Sequence, residues 1–109
     1  MFGNFKNEPI DTSEIYRLAT MLKQNNIPFD IESVFGGIHI AYPEFSTQDK
    51  ACICSVILHK GSYGHEVGLL EIMGLLTKQE RRFDQVVGFL TAQQVFTRIK
   101  NHWNSTKKD

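Results

Sequence analysis

The densest group of reactive side chains lies between residues 59 and 66, with the sequence His-Lys-Gly-Ser-Tyr-Gly-His-Glu. Its glycines suit turns with positive φ, so we expect a loop between two apolar strands. A lysine beside glycine-rich amides could hold a phosphate, but the P-loop pattern is absent. Because exposed tyrosines favour interfaces, we interpret the segment as an interface loop with the contact residues His59, Lys60, Tyr63, His65 and Glu66.

The cysteines and histidines do not follow a usual metal-binding pattern. Cys52 and Cys54 stand two apart on a predicted strand, so both are expected on one face. With His59 and His65 they give the spacing C-x-C-x4-H-x5-H, whereas zinc sites usually place a longer gap between the cysteines. We therefore expect two small buried apolar side chains. No metal and no cofactor is predicted.

Nucleophilic catalysis would need a base and an orienting group near Ser55, Ser62 or a cysteine. His59 and His65 flank Ser62, but the pattern G-x-S-x-G is absent. Paired carboxylates for acid–base chemistry are also absent as a local motif. The sequence therefore predicts a protein that is not an enzyme.

Length and composition limit the class of protein. The chain has 109 residues, 41% of them hydrophobic, with 8 Phe, 3 Tyr and 1 Trp. One core fits this length, so we expect a single domain over 1–109, with an irregular arm at 1–10 and a polar tail at 105–109. No apolar run approaches the ~20 residues of a membrane span, and two cysteines are too few for a disulfide scaffold. We expect a cytoplasmic protein without membrane contact.

The charges are balanced in total but not along the chain. There are 12 basic and 12 acidic residues, yet residues 1–49 hold seven acids against three bases, a net charge of −4, and residues 50–109 hold five acids against nine bases, a net charge of +4. The basic excess from residue 78 onward includes Arg81 and Arg82. Such a split favours a dipolar surface that steers the protein onto a charged partner.

The residues before position 43 predict a helix followed by a hairpin. Asp11 suits an N-cap with Glu14 at the capping-box position, and an apolar stripe follows, so we predict a helix over about 12–25. The pattern then alternates with a period of two on both sides of Gly36-Gly37. This alternation predicts two strands joined by a turn at the glycines.

The remaining segments predict more strands and a closing helix. Residues 51–58 form an uncharged apolar run, which suggests a central strand buried on both sides. Residues 69–73 suit a strand, but their apolar residues also have helical spacing. Residues 78–83 suit one helical turn. Residues 86–89 suit either a fifth strand at the edge of the sheet or the segment that leads into the last helix. Thr91 and Gln94 then form a capping box for the last helix. The predicted fold class is α+β, an antiparallel sheet of four to five strands with both helices on one face, in the order α-β-β-β-β-(β)-α.

Three segments, 55–66, 68–76 and 87–103, together resemble a group of small proteins from mobile elements. These proteins are carried by prophages, plasmids and conjugative elements of Gram-positive bacteria, and some small proteins of such elements are anti-CRISPR inhibitors. The resemblance implies a bacterial cell and a host or element-encoded protein partner, such as a CRISPR effector nuclease. It transfers no binding residue.

Two functions follow as predictions. The first is a mobile-element accessory protein that acts by protein–protein interaction and inhibits a host defence system. The alternative is a nucleic-acid or nucleotide-binding module that uses the basic C-terminal surface and the 59–66 loop. The oligomeric state stays open, and the predicted contact residues are the five of the loop together with Arg81 and Arg82.

Overall fold

Five strands form one antiparallel sheet in the computed structural model, which describes residues 9–107. Each strand pairs with its neighbour along the chain, so the order across the sheet is β1-β2-β3-β4-β5. The elements in chain order are α1 (Ser13–Gln24), β1 (Asp30–Val34), β2 (Gly37–Tyr42), β3 (Cys54–Leu58), a short 3₁₀ helix (His65–Val67), β4 (Leu70–Met73), α2 (Lys78–Arg81), β5 (Val86–Leu90) and α3 (Ala92–Thr106).

The hydrophobic core lies between one face of this sheet and the two long helices. Strands β2, β3 and β4 send alternate side chains into the core, and α1 and α3 pack against each other over them. The helices contribute fully buried residues to this layer, among them Ile15, Leu18, Leu22, Val95 and Ile99. The predicted α+β class is confirmed, including the antiparallel sheet between an N-terminal and a C-terminal helix.

Helix α1 has the predicted extent, but the predicted capping box is wrong. Thr12 is the N-cap residue and makes no side-chain cap bond, while Asp11 Oδ1 accepts a hydrogen bond from the Ser13 amide at 2.9 Å. Hydrogen bonds from the hydroxyl and amide of Ser13 lower the pKa of Asp11. Glu14 does not form the predicted box: its Oε1 accepts from the amide of Ala92 at 2.7 Å, and its Oε2 lies 3.9 Å from the guanidinium of Arg17. It thereby joins the start of α1 to the start of α3.

The start of α3 confirms the predicted capping box. Thr91 Oγ1 accepts from the Gln94 amide at 3.2 Å, and Gln94 Oε1 accepts from the Thr91 amide at 2.8 Å. The Glu14 carboxylate accepts a hydrogen bond from a further amide at the same end of the helix. Since the first amides of a helix have no partner within it and carry partial positive charge, these acceptors stabilise α3 where it begins.

The β1–β2 hairpin is confirmed, but its turn lies one residue earlier than the predicted Gly36-Gly37. The turn residues are Phe35 and Gly36, with φ angles of +45° and +75°. Two successive positive φ angles are typical of the type I′ turn, which matches the twist of paired strands. With this turn Glu32 lies directly opposite His39.

Strand β3 is central in the sheet, as predicted, but it is not buried on both sides. Its burial alternates, and Ser55 and Ile57 lie half-buried on the face that the helices leave uncovered. The strand begins only at Cys54, so Cys52 lies in the preceding loop and the prediction that both cysteines share a face is wrong. Burial raises the pKa of the Cys54 thiol to about 12. Among residues 9–107, no three potential metal ligands are grouped.

The segments with ambiguous patterns after β3 are resolved. Residues 70–73 form a strand and not a helix, and residues 86–90 form the fifth strand at the edge of the sheet. The predicted helical turn between them is α2, whose capping box joins Thr77 and Glu80.

The predicted arm and tail of the chain are only partly described. Most of the 1–10 arm lies outside the described residues, and so do the last two residues of the predicted polar tail at 105–109. Ser105 and Thr106 belong to the last turn of α3, and their hydroxyls donate to backbone carbonyls three residues earlier. Within residues 9–107, no helix is both long and apolar enough to span a bilayer.

Part of the charge split along the sequence becomes a charge split across the sheet. Asp30 and Glu32 lie on β1, the first edge strand, whereas Lys78, Arg81 and Arg82 lie in the segment that leads into β5, the opposite edge. Four spacings of about 4.8 Å place these edges roughly 19 Å apart. The fold therefore keeps these two acids apart from these three bases, whereas the Glu14 carboxylate lies at the start of α3.

An ion pair between Arg98 and Glu80 fastens α2 to α3. The guanidinium donates to both carboxylate oxygens at 2.7 Å and to the carbonyl of Leu75 at 3.0 Å. The two side chains are only 22% and 25% exposed. Hydrogen bonding to Arg98 lowers the pKa of Glu80 to about 2 and raises the pKa of Arg98.

We expect Glu80→Gln to lower the free energy of unfolding by about 2 kcal/mol at pH 7. Glutamine keeps the acceptor for the capping box but loses the charge that pairs with Arg98. The stabilisation is present above the ordinary carboxyl pKa of 4.5 and is lost as the pH falls toward 2. Urea unfolding at pH 7, 4 and 3 should therefore show a shrinking difference from the wild type.

Asp84→Asn, at an exposed acid near α2, is the matched control and should change stability little at any of these pH values. A Glu80→Gln effect that stays constant from pH 7 to pH 3 would contradict the charge-based explanation.

Candidate functional site

The loop between β3 and β4, residues 59–69, carries five of the seven predicted contact residues. It lies at the end of the sheet that also holds the β1–β2 turn and the junction of β5 with α3. Gly64 and Gly68 flank its 3₁₀ helix with φ angles of +97° and +72°. The expectation of a loop between two strands is confirmed, but of the two glycines in the 59–66 segment only Gly64 has the predicted positive φ, and Gly61 does not.

Buried Ser62 organises the first half of this loop. Its Oγ accepts from the amide of His59 at 3.0 Å and donates to the carbonyl of the same residue at 2.8 Å. His59 Nδ1 accepts from the amide of Gly61 at 3.0 Å, and His65 Nδ1 donates to the carbonyl of Ser62 at 2.6 Å. Each histidine thus uses one ring nitrogen to hold the shape of the loop.

Glu71 fastens the middle of the loop to the sheet. This residue is only 9% exposed, and its Oε1 accepts from the amide of Tyr63 at 2.9 Å. The carbonyl of Tyr63 accepts from the amide of Phe89 at 3.4 Å. Gly88 lies so close that a β carbon there would be 2.3 Å from the Cβ of Tyr63. The backbone of Tyr63 is therefore held from two sides.

Four large apolar side chains are exposed on or beside this loop. Phe35 is 83% exposed, Tyr63 54%, Val67 64% and Phe89 59%. The ring of Phe35 lies edge-on to the ring of His59, with 5.6 Å between centroids. We call these four residues the loop patch. Several large apolar side chains exposed around one loop favour an interaction surface there.

The structure separates the other predicted contact residues into two groups. Lys60 and Glu66 lie in the loop and are exposed, with Glu66 Oε1 3.6 Å from the ring of His65. Arg81 and Arg82 lie at the opposite end of the sheet, where α2 ends. A five-residue strand such as β3 spans about 17 Å. The arginines and the loop therefore lie at opposite ends of the sheet, although the nucleic-acid alternative uses both.

The uncovered face of the sheet holds a second group of polar residues, which sequence reasoning missed. The loop over 43–53 borders an open hollow of about 700 Å³ on this face. Asp30 Oδ2 holds that loop by accepting from the amide of Phe45 at 2.8 Å, and the Phe45 ring lies 5.6 Å from the ring of His39. Apolar and polar side chains thus line the hollow together.

Three polar side chains from adjacent strands form a hydrogen-bonded chain in this hollow. His39 Nδ1 lies 2.8 Å from Glu32 Oε2, and His39 Nε2 lies 2.9 Å from Ser55 Oγ. A carboxylate can only accept, so Nδ1 carries the proton that is donated to Glu32. In the neutral ring, Nε2 then accepts from the Ser55 hydroxyl. We call this arrangement the polar chain.

The signal for the polar chain lay in the register of the hairpin. His39 is 16 positions from Ser55 in sequence, so no local motif joins them. The observed turn places Glu32 opposite His39, whereas a turn one residue later would place Val34 there. The pair can be predicted only if the turn is placed at Phe35 and Gly36, which both adopt positive φ.

The remaining histidine has a structural contact on the covered face. His102 Nδ1 lies 2.6 Å from the hydroxyl of Tyr42, and the two rings meet edge-on at 5.5 Å. Burial raises the pKa of Tyr42. This contact fastens α3 to β2.

Comparison of the chain with family models, curated proteins and solved structures finds no match. The resemblance to proteins of mobile elements therefore stays a prediction from the sequence.

Gly88→Ala should destabilise the protein by about 1–3 kcal/mol and loosen Tyr63. The new methyl group would overlap the Cβ of Tyr63, so the loop or β5 has to move. Thermal unfolding measures the first effect, and faster hydrogen exchange of the Tyr63 amide measures the second.

Gly61→Ala is the control from the same loop. Its added carbon would meet only two ring atoms of His59, at 3.3 and 3.5 Å, and that ring can shift. Equal effects of the two substitutions would show that Gly88 has no special role beneath Tyr63.

Proposed function

We propose that this protein is an accessory factor of a mobile genetic element that binds another protein through the loop patch. The observation that carries this proposal is the exposure of four large apolar side chains beside a loop whose backbone is fixed by Ser62 and Glu71. The sequence resemblance described above supports the mobile-element setting.

The rigidity of the loop favours binding. A surface that is already ordered loses less conformational entropy when a partner arrives, and each side chain that must be immobilised costs about 0.5–1.5 kcal/mol. The Tyr63 backbone is held by Glu71 below and by Phe89 beside it. Tyrosine is also among the residues that most often dominate the energy of an interface.

The chemistry of the patch describes the partner it fits. The four side chains of the patch are apolar or aromatic, and the same loop carries the exposed charges of Lys60 and Glu66, one of each sign. We expect a partner surface with an apolar depression and a polar rim, which is the usual anatomy of a protein interface. The charge difference between the sheet edges would orient the protein during approach.

Photo-crosslinking tests the patch directly. With benzoylphenylalanine in place of Tyr63, irradiation of Gram-positive host cells should give a discrete crosslinked species, because the ring would lie against the partner. Adding Phe89→Ala should weaken that product. Immunoblotting and mass spectrometry identify the species.

The same crosslinker at position 83 is the matched control. Phe83 is 86% exposed but lies at the opposite end of the sheet, so it should give no such species. Identical products from both positions, or no product from position 63, would contradict the loop patch as the binding surface.

The finer proposal is that the partner is a CRISPR effector nuclease, which the protein inhibits. Added to a panel of such nucleases, the protein should slow DNA cleavage by at least one of them. Tyr63→Ala should weaken inhibition by about thirtyfold, since a central aromatic contact contributes roughly 2 kcal/mol.

Phe83→Ala should inhibit like the wild type. Unchanged cleavage by every nuclease would exclude this class of partner. The crosslinking experiment tests independently whether the loop patch is the binding surface.

A further inference from the structure

We propose that Ser55 is a nucleophile that accepts acyl groups from activated esters, including thioesters, with His39 as its base and Glu32 orienting His39. This activity goes beyond the proposed protein contact and uses a different surface. The polar chain lies on the uncovered face of the sheet, whereas the loop patch lies at the end of the sheet.

The geometry meets the requirements for an activated serine. The hydroxyl lies 2.9 Å from the base, and the base lies 2.8 Å from a carboxylate that selects the required tautomer. All three side chains project from paired strands, which hold a site more firmly than loops do. The His39 side chain is only 20% exposed and packs against Phe45, so its ring has little freedom to turn away.

The hollow provides room for a substrate. Its volume of about 700 Å³ lies within the usual range of ligand pockets, roughly 300–1,000 Å³. Phe45, Ile53 and Met73 give it apolar walls beside Ser55. An acyl or aryl group can contact these walls while its carbonyl carbon approaches the hydroxyl.

The substrate class follows from the hydrogen bonds of the bordering loop. The amide of Cys52 donates to Ser46 Oγ, and the amide of Ile53 donates to the carbonyl of Tyr42. These amides are therefore engaged and do not form an oxyanion hole, in which a single donor contributes about 10²–10³ in rate. Acyl compounds with good leaving groups depend least on hydrogen bonds to the developing oxyanion. The site therefore favours activated esters and thioesters over amides.

The reaction balances without a further reagent. Ser55 Oγ forms a bond to the acyl carbon, and its proton passes to His39 Nε2 while Glu32 stabilises the charged ring. The bond from the acyl carbon to the leaving oxygen or sulfur breaks, and the leaving group takes that proton. Water then attacks the acyl-serine with His39 as base, the carboxylic acid departs, and the Ser55 oxygen regains a proton.

A fluorophosphonate probe and p-nitrophenyl acetate test the proposal with the full-length protein. The probe should form one adduct, located on Ser55 by peptide mass mapping, as fluoride leaves and phosphorus bonds to Oγ. Ser55→Ala and His39→Gln should each lower ester hydrolysis by about 100-fold or more, the usual contribution of base catalysis. Glu32→Gln should lower it less, because the amide oxygen still accepts from Nδ1.

Ser33→Ala is the matched control, since Ser33 is an exposed serine next to Glu32 on the same strand. It should keep both labelling and hydrolysis. The absence of an adduct on the wild-type protein, or an adduct on Cys52 or Ser46, would overturn the proposal. Labelling of the wild-type protein does not depend on the folding of any variant. Circular dichroism shows whether each variant is folded.

Discussion

The pairing of every strand with its neighbour along the chain is the constraint on which the rest of the structure depends. It converts position in the sequence into position across the sheet, so Asp30 and Glu32 lie at one edge and Lys78, Arg81 and Arg82 lie beside the other. It also sends successive loops to alternate ends. The 59–69 loop is thereby placed far from Arg81 and Arg82, although the same half of the chain carries both.

Much of the fold could be predicted because its signals are local. The stripe of α1 and the capping box of Thr91 and Gln94 lie within single segments, and the structure confirms both. Glu14 shows where local reasoning stops. Its spacing matched a capping box, but the amide of Ala92 at the start of α3 lies close by in the fold and donates to the carboxylate instead. The central strand shows the same limit, since two helices cover only one of its faces.

The candidate sites could be predicted only where one continuous segment supplies them. The residues of the 59–69 loop follow each other in sequence, so their composition alone suffices to predict a candidate contact surface. The polar chain takes one residue from each of three strands and depends on two strand registers. An error of one residue in a single turn moves Glu32 away from His39. Sequence patterns do not define turns to that accuracy.

The bond between Glu14 and Ala92 has a consequence for synthesis of the chain. The two residues are 78 positions apart. At ribosomal rates of about 5–20 residues per second, the start of α3 is made roughly 4 to 16 seconds after the start of α1. Until then the apolar stripe of α1 lacks its contacts with α3. The nascent chain therefore completes its core only after α3 has been synthesised, and a messenger truncated before α3 would yield a product suited to chaperones and proteases.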